Sequence, residues 1–209
     1  MKRLTVVLLV LIAVVGGLWI FVFGGKKKKD DGPKQQPLAV SKHDDAFNIS
    51  ANKMMDTYYA MLESFVNWDS IAVGKQATDL KAALDSVNMN GMKADTVIYQ
   101  TADGALSNAK AELAGLIQDP TFEEKKLALN SLTQYIYDFL RTVHYDQTKI
   151  YFQECPMAFG EDQPGNWLSK TKEVRNPYLG TSHPLHKNTM LTCGGPKDTL
   201  NFLVTGSAQ

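Results

Sequence analysis

Residues 119–144 read DPTFEEKKLALNSLTQYIYDFLRTVH, and this stretch decides the fold. Phe122, Leu129, Leu132, Ile136, Phe139 and Val143 recur at helical spacing, which places them on one face of a helix. Asp119-Pro120-Thr121 reads as a stop and restart, with Asp119 as cap and Pro120 at the first helical position. A proline there loses nothing, because its missing N–H would have no intrahelical partner. His144 closes the segment, where an imidazolium suits the negative end of the helix dipole. Its use is either structural or as a supporting metal ligand.

Upstream, three more segments carry the same period. The first follows Asp44 or Asp45 as cap, with Phe47, Ala51, Met54, Tyr58, Met61 and Phe65 on one face. Met54 and Met61 sit among aromatics at core spacing, so they read as packing rather than as a metal site. Asp69 caps a second helix bearing Val73, Ala77, Leu80, Leu84 and Val87. Asp95 caps a third bearing Tyr99, Ala102, Leu106, Ala109, Leu113 and Leu116. Short links between neighbours predict a mainly α fold, an antiparallel four-helix bundle. A small C-terminal loop and strand extension carries a Cys/Met motif.

The organisation expected is an N-terminal anchor or uncleaved signal over 1–25, a polar tether over 26–38 and one domain over 39–209. That domain divides into a helical bundle (39–147) and the Cys/Met-containing extension (148–209). Leu4 to Phe23 is uncharged and almost wholly apolar, and twenty helical residues rise roughly 30 Å, enough to cross a bilayer core. Lys26 to Lys29 follow the run, but Lys2, Arg3 and the terminal amine nearly balance them, so charge does not fix the orientation. The 22 basic and 22 acidic side chains of the chain cancel, which argues against a nucleic-acid partner. No Gly-x-Ser-x-Gly elbow, His-Glu-x-x-His helix or phosphate-binding glycine loop occurs, so no enzyme is expected.

Beyond His144 the pattern changes. Lys149–Gln153 and Thr199–Val204 are short and rich in β-branched or aromatic residues, and they are expected to pair as strands. Between them lie both cysteines of the protein, with turns expected at Gln163–Asn166, Asn176-Pro177 and Gly194–Pro196. Cys155-Pro156-Met157 and Met190-Leu191-Thr192-Cys193 each pair a thiol with a thioether, and soft ligands of this kind select Cu(I) or Ag(I). His183 and His186 offer additional nitrogen ligands. The spacing admits three readings: a soft-metal site, a disulfide, or two inert buried thiols. Trp167 and Tyr178 read as a small core under the loops, with a ligand-stacking pair as the alternative. Arg175 is expected to pair with Glu154 or Glu173.

The run of Cys155-Pro156-Met157-Ala158, Trp167-Leu168-Ser169, Arg175-Asn176-Pro177-Tyr178-Leu179-Gly180 and Met190-Leu191-Thr192-Cys193-Gly194 resembles a bacterial envelope family of unknown function. Members occur alone or appended to periplasmic adaptor subunits of heavy-metal efflux pumps. The resemblance implies a location on the periplasmic face of the inner membrane and a link to copper or silver handling with an efflux system. It implies Cys155, Met157, Met190 and Cys193 as the metal site. The chain departs from the family pattern at Thr181–Thr189, a nine-residue insertion that carries both His183 and His186.

Overall fold

The computed structural model describes residues 41–203, so the anchor and tether expected over 1–25 and 26–38 lie outside the described residues. Among the described residues no helix is long and apolar enough to cross a membrane. The protein is mainly helical, with four α-helices followed by a small three-stranded antiparallel sheet.

Three helices start where a single aspartate side chain can accept an orphan N–H. Asp44 caps α1 (Asp45–Val66) through Phe47 N at 2.7 Å, and Asp69 caps α2 (Ser70–Asp85) through Ala72 N at 2.9 Å. Asp95 caps α3 (Thr96–Gln118) through Ile98 N at 3.1 Å. The start of α4 (Phe122–Thr142) differs from expectation. Thr121 is its cap, and Glu124 reaches back to the Thr121 N–H to complete a capping box. Asp119 instead terminates α3, with its own N–H bonded to Gly115 O. Two orphan donors are satisfied by the Thr121–Glu124 pair, whereas a cap at Asp119 would satisfy one. Thr121→Ala is therefore expected to cost about 1 kcal/mol in urea unfolding, and Asp119→Ala well under half of that. Equal losses would return the cap to Asp119.

Consecutive helices pack against each other, α1 with α2, α2 with α3 and α3 with α4. Contacts between α1 and α4 run in opposite senses along the two helices. Phe47 meets Phe139 at 6.4 Å between ring centroids, and Phe65 meets Phe122 at 5.4 Å. Midway, the Tyr58 and Thr133 hydroxyls share a hydrogen bond of 2.8 Å. Met54 and Met61 are fully buried in this core, as their spacing predicts. Where the described chain begins, Ser41 Oγ and Lys42 N donate to the Asp146 carboxylate at 2.8 and 2.9 Å. Burial alone would raise the Asp146 carboxyl, but these donors and Gln147 hold it below the usual range.

β1 (Ile150–Cys155) is the central strand, flanked by β2 (Gly165–Ser169) and β3 (Gly195–Leu200), both antiparallel to it. The first strand agrees with expectation. The second lies at 195–200 rather than 199–204, with Leu200 opposite Ile150. β2 has no counterpart in the sequence pattern, because Gly165-Asn166 reads as a turn. The reversal occurs earlier, at Gly160–Gln163, where Gly160 has φ 137° and Gln163 N bonds Gly160 O at 3.2 Å. Gly165 lies inside the strand, where a Cβ would collide with Ala158 and the Tyr178 ring. Tyr58 fixes the sheet to the helices: its hydroxyl also accepts the Leu168 N–H at 3.2 Å.

Candidate functional site

Cys155 ends β1, and Cys193 enters β3, its antiparallel neighbour, so the ladder carries the two cysteines to the same place. Both are free thiols, Cys155 fully buried and Cys193 partly so, and the β1–β3 ladder makes them neighbours. Burial, and then the neighbouring Cys155 thiol, push the Cys193 thiol up to about 12. The folded state thus holds a proton that an unfolded chain, with an ordinary thiol near 9.0, releases. Stability contributed by this group is complete below that unfolded value and is lost as pH rises toward about 12. The reduced protein should therefore show a falling urea midpoint above about pH 9, and a Cys193→Ser variant a flatter profile. Identical slopes would detach the effect from this thiol.

A strap, residues 170–194, joins β2 to β3 across the helices. Most of it is exposed, but Asn176, Pro177, Tyr178, Leu179 and Gly180 are all buried. Asn176 is the clamp. Its Oδ1 accepts the N–H groups of Tyr178 and Leu179 at 2.8 and 3.1 Å, forming the local turn that an Asn-Pro pair favours. Its Nδ2 donates to Cys193 O at 2.9 Å, and its backbone N–H to Leu191 O at 2.9 Å. One side chain thus binds the Asn-Pro-Tyr-Leu-Gly segment to the Met-Leu-Thr-Cys arm. Gly180 adopts φ 49° where a Cβ would strike the Trp68 indole, and the next residue anchors the strap through Thr181 N–H to Val66 O at 2.7 Å.

Because Asn176 reaches Leu191 and Cys193 directly, the Thr181–Thr189 insertion does not separate the two arms. It folds on itself, with Lys187 N bonded to His183 O at 2.9 Å and Thr189 N to His186 O at 3.0 Å. Its histidines form their own pair, ring centroids 4.8 Å apart, with His183 edge-on to Trp68 at 4.9 Å. The N–H groups of Leu185 and His186 both lie 3.2 Å from His183 Nδ1, so the neutral ring carries its proton on Nε2. Burial, then His186 and Lys126, lower the basicity of His183. His144 stacks on Phe202 at 4.6 Å beside the start of α1, while His183 lies beyond that helix's other end. The 22 residues of α1 span about 33 Å.

Of the seven residues singled out as metal ligands, the fold therefore brings Cys155 and Cys193 together. Met190 lies partly buried on the same core, in a turn closed by Cys193 N–H to Met190 O at 3.0 Å. Met157 follows Cys155 but is 45% exposed. Among the described residues no three His, Cys, Asp or Glu side chains converge as they would around an ion. Trp167 and Tyr178 form a buried edge-to-face pair at 6.3 Å, the small core expected. Arg175 differs from expectation. It pairs with Glu63 of α1 at 2.5 Å, while Lys197 takes Glu154 across the β1–β3 ladder. No family model, curated protein or solved structure matches this chain.

Proposed function

We propose that this chain is a tethered envelope domain whose helices form an antiparallel four-helix platform for the C-terminal strap. Cys155 and Cys193 close a disulfide that fixes the strap as a contact surface for a protein partner. The observation that carries this reading is the strand register, Glu154 opposite Gly195, which makes the buried Cys155 and Cys193 neighbours. A thiol pair so placed needs little movement to join. Metal binding and thiol–disulfide exchange both use the Cys193 thiolate, so the raised thiol works against each of them alike. The uncharged run Leu4–Phe23 supports the tether, and the envelope-family motifs support an oxidising compartment.

A soft-metal role is the second reading, favoured by the closed turn that holds Met190 three residues before Cys193. Cu(I) or Ag(I) held by Cys155 and Cys193, with Met190 and Met157 as further donors, would serve an efflux system. One experiment separates the two. The full chain is isolated from the membrane fraction with thiols blocked at lysis, and its intact mass is compared with and without reductant. A mass lower by two hydrogen atoms, with neither cysteine blocked, supports the disulfide. Blocked thiols, together with one Cu(I) retained against a coloured chelator and lost in a folded Cys155→Ser, Cys193→Ser double variant, would transfer the assignment to the metal reading. Blocked thiols without metal retention would sink both.

A further inference from the structure

A cleft of about 350 Å³ runs between the outer face of α1 and the start of the strap. Leu62, Val66 and Trp167 give it an apolar floor. Its rim is charged and balanced, with Glu63 and Glu173 against Lys170 and Arg175. That combination, an apolar bed with a few polar groups at the edge, is how small-molecule sites are built, and the volume lies within their usual range.

The rim charges are held only loosely. Arg175 and Glu63 pair at 2.5 Å with side chains 47% and 51% exposed. Lys170 pairs with Asp56 at 2.9 Å with side chains 53% and 68% exposed. Ion pairs this open to water contribute roughly 0–1 kcal/mol, so their members are readily exchanged for charges on a ligand. Behind them is an anomaly. Tyr59 lines the cleft; its hydroxyl is buried near Tyr145 and Asp56 with no hydrogen-bond partner, and the Lys170 ammonium sits 4.8 Å from its ring. Burial holds that hydroxyl protonated far above the ordinary tyrosine range, so it is a neutral donor. A buried donor without a partner costs free energy that a ligand or an admitted water can recover.

The geometry points to a binding site for a free amino acid with an apolar side chain. The ligand carboxylate takes Arg175 and Lys170, its ammonium takes Glu63 and Glu173, and its side chain covers Leu62, Val66 and Trp167. A zwitterion is favoured over an anion or a cation because the rim carries two charges of each sign. Neither cysteine lines this site.

The test is calorimetric titration of the full chain in detergent micelles with L-leucine and L-phenylalanine, and with N-acetyl-leucine amide as the uncharged counterpart. The expected result is saturable one-to-one binding of at least one free amino acid, weakened about tenfold or more by blocking both termini. Arg175→Ala and Lys170→Ala should each weaken it about tenfold. If Arg175→Ala unfolds, as judged by circular dichroism, the exposed Lys170→Ala variant alone decides. Absence of saturable binding by both amino acids overturns the proposal. So does equal binding of the blocked compound, or unchanged affinity in a folded Lys170→Ala variant.

Discussion

Replacing Asn176 by alanine is expected to cost about 4 kcal/mol and to lower the Tm by roughly 10 °C. The substitution removes few apolar contacts. Its cost comes from what it leaves behind: the N–H groups of Tyr178 and Leu179, and the Cys193 carbonyl, all bonded by this one side chain. Asn176 is fully buried, and the two N–H bonds are buried with it, so water replaces them poorly. Each orphaned group costs about 1–3 kcal/mol, and partial relaxation of the strap keeps the total near the lower end of that sum. The loss should be local as well as global. With the Cys193 carbonyl released, the partly exposed Cys193 thiol should react with a maleimide several-fold faster in the variant. Asn188→Ala, an exposed asparagine of the same strap, is the control and should change neither reading. A loss below about 1 kcal/mol in thermal or urea unfolding would mean that the Asn176 bonds do not hold the strap.

The role of Asn176 also marks where sequence reading ends. Asn-Pro is legible as a turn because the bonds to Tyr178 and Leu179 are local, two and three residues away. The bond to Cys193 spans 17 residues and is not encoded by any spacing. The same division holds throughout. Asp69 and Asp95 are legible as caps, and Asp44 as one of two candidates with Asp45, because a cap needs only its own next three residues. At the start of α4 the sequence reading takes Asp119 as cap, and the signal it misses is the Thr-x-x-Glu signature of Thr121 and Glu124 two residues on.

Strand placement, by contrast, depends on distant partners. β2 exists where the sequence reads as a turn because the Tyr58 hydroxyl accepts the Leu168 N–H and Asn130 accepts the Asn166 N–H at 2.8 Å. Those acceptors sit on α1 and α4, far away in the chain. Arg175 illustrates the same limit: Glu154 and Glu173 are nearer in sequence, yet Glu63, 112 residues away, is the partner. For the candidate site, the convergence of Cys155 and Cys193 is legible through two flanking strands. No spacing shows that His144 lies a helix length away, or that His183 and His186 pair with each other beside Trp68.

Oxidation of Cys155 and Cys193 carries the other large effect. Oxidised glutathione accepts two electrons and two protons from the pair, leaving one sulfur–sulfur bond in the protein and two glutathione thiols. Cross-linking a loop of about 40 residues stabilises by about 4 kcal/mol in the chain-entropy model, so the Tm should rise by roughly 10 °C. Strain should take little of this gain, because the ladder makes the two cysteines neighbours and the Asn176 clamp holds the Cys193 arm in place. The Cys155→Ser, Cys193→Ser double variant should not respond to the oxidant. The two forms should also diverge with pH: the reduced protein weakens as the Cys193 proton is drawn off above about pH 9, whereas the disulfide has no proton to lose. The gap between oxidised and reduced midpoints should therefore widen from neutral to alkaline pH. A pair that oxidises fully without moving the Tm would show that closing the strap does not constrain the unfolded chain in the way proposed. The contact surface would then have to be held by Asn176 and the Trp68 corner alone.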